Sequence, residues 1–366
     1  MNFDYNEEQR LLAESVKRFV AQDYAFEARR RIVESPEGYS PKAWNTMADL
    51  GLLGLSISPD HGGFGGGAVD MMSTMEAIGD ALVVEPYLAT IGLGARFVTL
   101  AGTAAQQQAI LPAVVEGKLK LAFAHTEARA RYDLAHVTVE ARDGALRGEK
   151  RVVLHAPHAE KLVVSARSAG GISLYLVDAK AKGVSMKAYR TIDEVRAADV
   201  IFDGVKVSAE DRLGGEGTAL ALIEEVVDFA TALICAEAVG AIKFANDTTL
   251  EYLKTRKQFG VAIGSFQALQ HRLVDMVISY EQARSMASLA CARVDAEKDA
   301  AQRKRVVSAA KVRIADACRH VSQESVQLHG GMGMTEELKV SHTFRRLTMI
   351  AQQFGDADHH LERFAA

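Results

Sequence analysis

Apolar positions recur at helical spacing over the first 117 residues and again from Ile223 onward, with a different rhythm between them. Leu12, Val16, Phe19 and Val20 form the stripe of a first helix. Asn6 and Gln9 make a start similar to a capping box, with Glu7 and Glu8 in the first turn. Ser40-Pro41 reads as the N-cap and first position of another helix, which Gly51 can end. Helices over 68–81 and near 86–100 complete an all-helical first third, with Pro112 near its end. From about 118 to 207 apolar and polar residues alternate instead. His136–Val139, Arg151–Leu154, Leu162–Val164, Ser173–Val177 and Val200–Phe202 read as strands. Asp143-Gly144, Gly170-Gly171 and Asp203-Gly204 read as the turns between them.

The helical period then returns. Val227, Ala230, Leu233, Ile234, Val239 and Ile242 mark a long helix over roughly 223–253. Gly260 and Gly264 break it, and Ser265 is placed to cap a second helix carrying Phe266, Leu269, Leu273, Val274, Met276, Val277 and Tyr280. All six prolines lie at or before Pro157, which suits long unbroken helices beyond it. The pattern predicts an α+β chain in three parts: an N-terminal helical domain (1–117), a middle antiparallel β domain (118–222) and a C-terminal helical bundle (223–366).

Composition changes this picture little. A chain of 366 residues can bury a large core as two or three packed units. Hydrophobic content of 48% and charged content of 25% are ordinary for a soluble globular protein. A net charge of −4 points to neither nucleic acid nor an anionic membrane surface. Cys235, Cys291 and Cys318 are scattered and form no Cys-x-x-Cys, so they read as reduced packing residues of a cytoplasmic protein. No apolar run is long enough to span a bilayer, and the acidic, amphipathic N-terminus does not resemble a signal peptide.

The candidate chemistry sits in a few short blocks. Arg256-Lys257-Gln258-Phe259-Gly260 offers a planar cation for a phosphate and a ring for an aromatic ligand, or else an ordinary solvated turn. His61–Gly67 is glycine-rich, but no phosphate-loop register fits it, so it reads as a turn before the next helix. Asp356-Ala357-Asp358-His359-His360 has metal-ligand residue types, yet adjacent histidines do not aim at one ion, and a helix start capped by Asp356 or Asp358 is the better reading. His155 and His158 flank Pro157 and are a similarly poor metal pair, so no metal is expected.

Four blocks together resemble the acyl-CoA dehydrogenase family of flavoproteins: Phe3–Gln9, Thr126-Glu127, Arg256–Gly260 and Gln327-Leu328-His329-Gly330-Gly331-Met332-Gly333. The resemblance implies helical, β and four-helix-bundle domains and the cofactor FAD. It implies α,β-dehydrogenation of an acyl-CoA, such as a dicarboxylyl, aromatic or steroid-derived one, in acid catabolism. In this chemistry a carboxylate removes the α proton and the flavin takes the hydride. The adenine–pyrophosphate side of FAD would fall to Arg256, Phe259, Gln327, Gly330 and Gly331, usually across a subunit interface. The flavin side would fall to Thr126 and Glu127. The expected partners are an electron-accepting flavoprotein and either a second copy, as dimer or tetramer, or a different family member.

The chain also departs from the family pattern. Where the family reads close to Thr-Glu-Pro-Gly-Ala-Gly-Ser-Asp, this chain reads Thr126-Glu127-Ala128-Arg129-Ala130-Arg131-Tyr132-Asp133, with both glycines replaced by arginine. The family's Lys-x-Trp-Ile-Thr is Lys150-Arg151-Val152-Val153-Leu154. The usual glutamate base falls on Gly355, and its alternative helix position falls on Ala230, beside Thr231. Asp228 matches a family aspartate near CoA. Arg129 and Arg131 read either as surface charges or as contacts to an anionic part of the substrate. Three readings stand: a subunit that completes a glutamate-bearing partner's FAD site, a self-sufficient enzyme with Asp356 or Asp358 as base, and a flavin oxidase or monooxygenase on the same fold.

Overall fold

The computed structural model describes residues 7–366, so the part of the opening block before Glu7, Asn6 included, lies outside the described residues. Helix α1 spans Glu7–Asp23 and α2 spans Phe26–Glu34. The Gln9 amide donates to Asp70 Oδ1 at 3.0 Å. Helix α3 (Pro41–Asp49) starts where the Ser-Pro pair predicts. Ser40 Oγ accepts the Ala43 N–H at 3.1 Å, and Gly51, at φ 75°, follows the helix end. Helix α4 (Ala68–Ala81) comes next, then a π-wound segment Leu88–Ala95 running into α5 (Arg96–Ala101), then α6 (Ala104–Val115).

The middle of the chain forms one eight-stranded sheet. Its strands are β1 (Leu121–Ala124), β2 (Glu140–Arg142), β3 (Ala145–Leu154), β4 (Lys161–Ser168), β5 (Gly171–Asp178), β6 (Val184–Arg190), β7 (Arg196–Lys206) and β8 (Arg212–Leu213). The order is β6-β7-β3-β2-β4-β5-β8, with β1 pairing β4. Most neighbours are antiparallel, while β1 and β2 each meet β4 in parallel. Leu146, Val153, Leu162, Val164, Tyr175, Val200 and Phe202 build its core.

Two strand expectations are corrected. His136–Val139 is not a strand, because the amides of Thr138 and Val139 donate to the Glu127 carboxylate rather than to a ladder. Asp203-Gly204 is not a turn between strands. Gly204, at φ 68°, lies inside β7 where the register against β3 slips between Leu146 and Arg147, so it makes a bulge.

The proline-free region forms α7 (Ala219–Thr255), a hairpin of β9 (Lys257–Gln258) and β10 (Val261–Ala262), then α8 (Gln267–Val294), α9 (Ala300–His329), α10 (Lys339–Gln352) and α11 (Ala357–Ala365). Every residue of α7 from 226 to 242 is buried, most of them apolar or small, with Asp228, Thr231 and Glu237 the exceptions. Its alanines and Gly240 allow this. A Cβ at Gly240 would lie 1.8 Å from the Glu76 carbonyl oxygen on α4, so the two helices touch backbone to backbone. Ser265 does not cap α8. Its hydroxyl donates to the Ala262 carbonyl, and the helix begins after Phe266 without a side-chain cap.

The chain divides into two compact units. One contains the described residues up to Arg30, with Ala68–Val83 and Thr231–Ala366; the other contains Arg31–Gly67 and Val84–Ala230. The first unit is helical apart from the β9–β10 hairpin, and the second holds the eight-stranded sheet. Among the described residues, no helix is long and apolar enough to cross a membrane.

Candidate functional site

Three groups of residues carry the candidate chemistry. The first lies at the ends of α7 and α9. Val261 pairs with Gln258 across the β9–β10 hairpin, leaving Phe259 and Gly260 as the two turn residues, at φ 54° and 82°. Phe259 is 91% exposed, and Arg256 at the hairpin base is also exposed. The Tyr252 ring, one turn before Arg256, stacks on His329 with centroids 4.4 Å apart. That stack joins the end of α7 to the end of α9, which carries Gln327 and is followed by Gly330 and Gly331. A bidentate ion pair between Arg272 and Glu324, at 2.5 and 3.0 Å, ties α8 to α9 behind it. Nothing lies within 4 Å of a Cβ built on Gly330 or Gly331. The result is an exposed arginine, an exposed ring and two glycines facing open space, a donor set suited to a nucleotide pyrophosphate.

The second group is the loop after β1. Glu127 is 4% exposed and fully engaged. Its carboxylate accepts from Lys150 Nζ at 2.6 Å, Thr138 N at 2.7 Å, Val139 N at 3.1 Å and the Thr138 hydroxyl. Burial raises its pKa, but these donors outweigh burial and hold it below the ordinary carboxylate value. Lys150 is fully buried. Desolvation pulls it down to about 8 against the pull of Glu127, so it stays charged at neutral pH. Its Nζ also donates to the His125 carbonyl and to Ser165 Oγ. Glu127 is therefore the anchor of this loop, and only Thr126 of the pair is exposed.

Beyond the anchor, Arg129 (φ 72°) and Arg131 (φ 46°) hold left-handed backbone on either side of the buried Ala130. That backbone costs a non-glycine residue about 1–2 kcal/mol. Val152, where the family pattern has tryptophan, is also left-handed, at φ 50°, and 46% exposed.

The third group surrounds Gly355, where the resemblance leads one to expect the base. Gly355 (φ 127°) is buried, and a Cβ there would lie 2.5 Å from His359 Cδ2 and 2.6 Å from His360 Nε2. Two imidazoles thus fill the space a glutamate side chain would enter. Lys311, fully buried on α9, donates to the carbonyls of Gly355 (2.7 Å) and Ala351 (3.2 Å). His360 bonds the Phe354 carbonyl through Nε2 and Ser308 Oγ through Nδ1, at 3.1 and 3.2 Å. A carbonyl can only accept, so Nε2 carries the proton and Nδ1 accepts from Ser308. Burial, with Lys311 and Arg363 nearby, pushes His360 down to about 3, so it is neutral. Asp356 accepts the His359 N–H at 2.9 Å as the N-cap of α11. Ala230, Thr231 and Asp228 lie buried on α7.

Sequence reasoning did not find Lys311, the Glu127–Lys150 pair or the imidazole crowding. The Tyr252–His329 contact carried a signal, since His329 lies within one motif block and Tyr252 lies one helical turn before another. No cluster of three or more metal-ligand side chains occurs among the described residues. The open surface cavity of about 600 Å³ beside Arg142, Arg167 and Arg212 contains none of the candidate residues.

Models of the acyl-CoA dehydrogenase N-terminal, middle and C-terminal domains match residues 6–118, 122–205 and 216–366. The chain belongs to the acyl-CoA dehydrogenase family. It is 29% identical to subunit CarC of the caffeyl-CoA reductase–Etf complex of Acetobacterium woodii, over 93% of each chain. Among solved structures it resembles the ChsE4–ChsE5 complex of Mycobacterium tuberculosis, with 26% identity, a TM-score of 0.91 and coverage of 100% and 98%. The FAD complex of PigA is similar at the same identity, score and coverage.

The family is one of FAD flavoproteins, so FAD is the group these residues must accommodate. The fit is uneven. The open turn at Gly330 and Gly331, and the exposed Arg256 and Phe259, suit the adenine–pyrophosphate part. On the ring side, Glu127 is committed inward and arginines replace the glycines.

Proposed function

We propose that this chain is a subunit of a hetero-oligomeric, FAD-dependent acyl-CoA dehydrogenase, and that it completes the FAD site of a partner carrying the carboxylate base. The observation that carries this reading is the contrast at its glycines. Gly330 and Gly331 face open space, whereas the base position at Gly355 is filled by His359 and His360. In this reading 1–117, 118–222 and 223–366 act as the family's three domains. Arg256 pairs with a phosphate, the amides of Gly330 and Gly331 approach the pyrophosphate, and Phe259 and Gln327 border the adenine end. FAD, when bound, supplies the hydride acceptor. The partner's carboxylate takes the α proton, and a further flavoprotein accepts the electrons.

Several features support the assignment. Both usual base positions lack a carboxylate, and the nearest one, Asp356, is spent capping α11. The exposed nucleotide-type residues are of the kind that serve a neighbour. The ChsE4–ChsE5 relative is itself a two-component complex.

The test is co-expression with a family member bearing glutamate at the position of Gly355. Turnover of an acyl-CoA should require both chains, and Arg256→Ala in this chain alone should lower flavin content and turnover at least tenfold. Full activity of this chain by itself, lost in Asp356→Asn, would replace the reading with a self-sufficient enzyme.

A further inference from the structure

The Gln327–Gly333 block contains a histidine to which the nucleotide reading gives no role. His329 is the last residue of α9 and is 3% exposed. Its Nδ1 lies 2.8 Å from the Ser325 carbonyl, one helical turn back. A carbonyl can only accept, so Nδ1 carries the proton. Burial lowers the pKa of the ring against the pull of that carbonyl, so the imidazole is neutral at neutral pH. The ring is thus tied at one edge to its own helix. Its face meets Tyr252, with centroids 4.4 Å apart and planes 29° from parallel.

Tyr252 stands one turn before Arg256, and the chain beyond it is fastened to that turn. Arg256 N–H donates to the Tyr252 carbonyl and Ile263 N–H donates to the Arg256 carbonyl, both at 2.8 Å, so the β9–β10 hairpin closes back on the helix end. A Cβ on Gly264 would lie 2.8 Å from the Leu253 carbonyl oxygen, so the exit of the hairpin rests on the last turns of α7 backbone to backbone. The Tyr252 hydroxyl forms no hydrogen bond among the described residues, so the ring and not the phenol makes the link. Directly after His329, Gly330 N–H donates to the Gln327 carbonyl and starts the open turn. One ring pair therefore links the helix end from which the hairpin springs to the helix end that the Gly330–Gly331 turn follows. A phosphate held by both turns needs them at a fixed spacing. Two stacked rings, each tied to its own helix, supply a rigid spacer.

We propose that Tyr252 and His329 are positioning residues of the nucleotide site: their stack sets the spacing between the hairpin that carries Arg256 and Phe259 and the turn that carries Gly330 and Gly331. Neither ring needs to touch the ligand. The inference rests on reading those two turns as parts of one FAD site and not on which subunit carries the base.

The experiment uses the full chain, flavin-free for amide hydrogen exchange and co-expressed with a glutamate-bearing family member for FAD affinity. The variants are Tyr252→Phe, Tyr252→Leu, His329→Leu and the double leucine. Tyr252→Phe keeps the stack, so it should bind FAD within about twofold of wild type. Each leucine variant should weaken FAD binding by about two- to tenfold, the usual contribution of one aromatic pair, with the double variant no weaker than either single one. In the flavin-free chain the leucine variants should exchange faster at the Ile263 amide and at the Gly330 amide together. Wild-type affinity in Tyr252→Leu overturns the proposal. So does a phenylalanine variant as weak as the leucine one, which would make the hydroxyl a ligand, and so do losses that multiply in the double variant. The exchange readout needs no flavin. If Arg256→Ala leaves flavin content unchanged and the subunit reading falls, faster exchange at both turns still upholds the spacer, and anything less overturns it.

Discussion

Two glycine sites in the helical unit have opposite surroundings. At Gly331 an added methyl group would meet nothing within 4 Å; at Gly355 it would strike two imidazole rings at 2.5 and 2.6 Å. Both positions belong to stretches where the family handles its cofactor or substrate. The first faces open space, where the proposed reading puts the FAD pyrophosphate. The second, where the proposed reading expects the family's base, is closed by a hydrogen-bonded network. A site that is merely silent would leave a hole. Here Lys311 satisfies the carbonyls of Ala351 and Gly355, His360 satisfies that of Phe354, and Ser308 holds the His360 ring, which makes the turn part of the core.

The contrast can be broken most severely at Gly355. Gly355→Glu must find room among His359 and His360 and adopt φ 127°, so it should destabilise the fold by roughly 3 kcal/mol or more, read by urea unfolding. It should also fail to create dehydrogenase activity. Lys311→Met removes the donor to two buried carbonyls while keeping the aliphatic stem. It should cost about 2–4 kcal/mol by the same measurement.

Acid should reveal the network more gently. His360 is held neutral, with a pKa of about 3 against an ordinary 6.5, so the unfolded chain binds the extra proton between those values. The stability it contributes is complete above about pH 6.5 and is lost as pH falls toward 3, at up to about 1.4 kcal/mol per pH unit. His125, likewise pushed down to about 3 by burial, acts in the same direction. His360→Asn should make the unfolding midpoint depend less on pH across that window. The smallest effect on the fold belongs to the open site. Gly331→Val should change stability by no more than about 0.5 kcal/mol, yet lower the flavin held by a co-expressed complex.

Much of the architecture was legible in the residues. The Ser40-Pro41 start, the 68–81 helix and the long helices beyond Pro157 follow from capping, period and the absence of proline. The two errors in the sheet have a common cause: a local pattern was overridden by a partner outside it. His136–Val139 alternates like a strand, but the Glu127 carboxylate takes its amides. Asp203-Gly204 has turn chemistry, but pairing with β3 absorbs it as a bulge. The Tyr252–His329 stack shows how the ends of α7 and α9, which carry or adjoin two of the motif blocks, meet. The closure at Gly355 was not legible. It depends on Lys311, some forty residues earlier, and on imidazoles whose direction the sequence does not carry.

The central claim is that this chain lends its nucleotide-facing turn to a partner and does not run the reaction alone. The most direct measurement is visible absorbance per polypeptide of the chain purified by itself, before and after anaerobic addition of acyl-CoA. The account predicts little flavin, or flavin that no acyl-CoA bleaches. About one flavin per chain, bleached on mixing with an acyl-CoA, would contradict it.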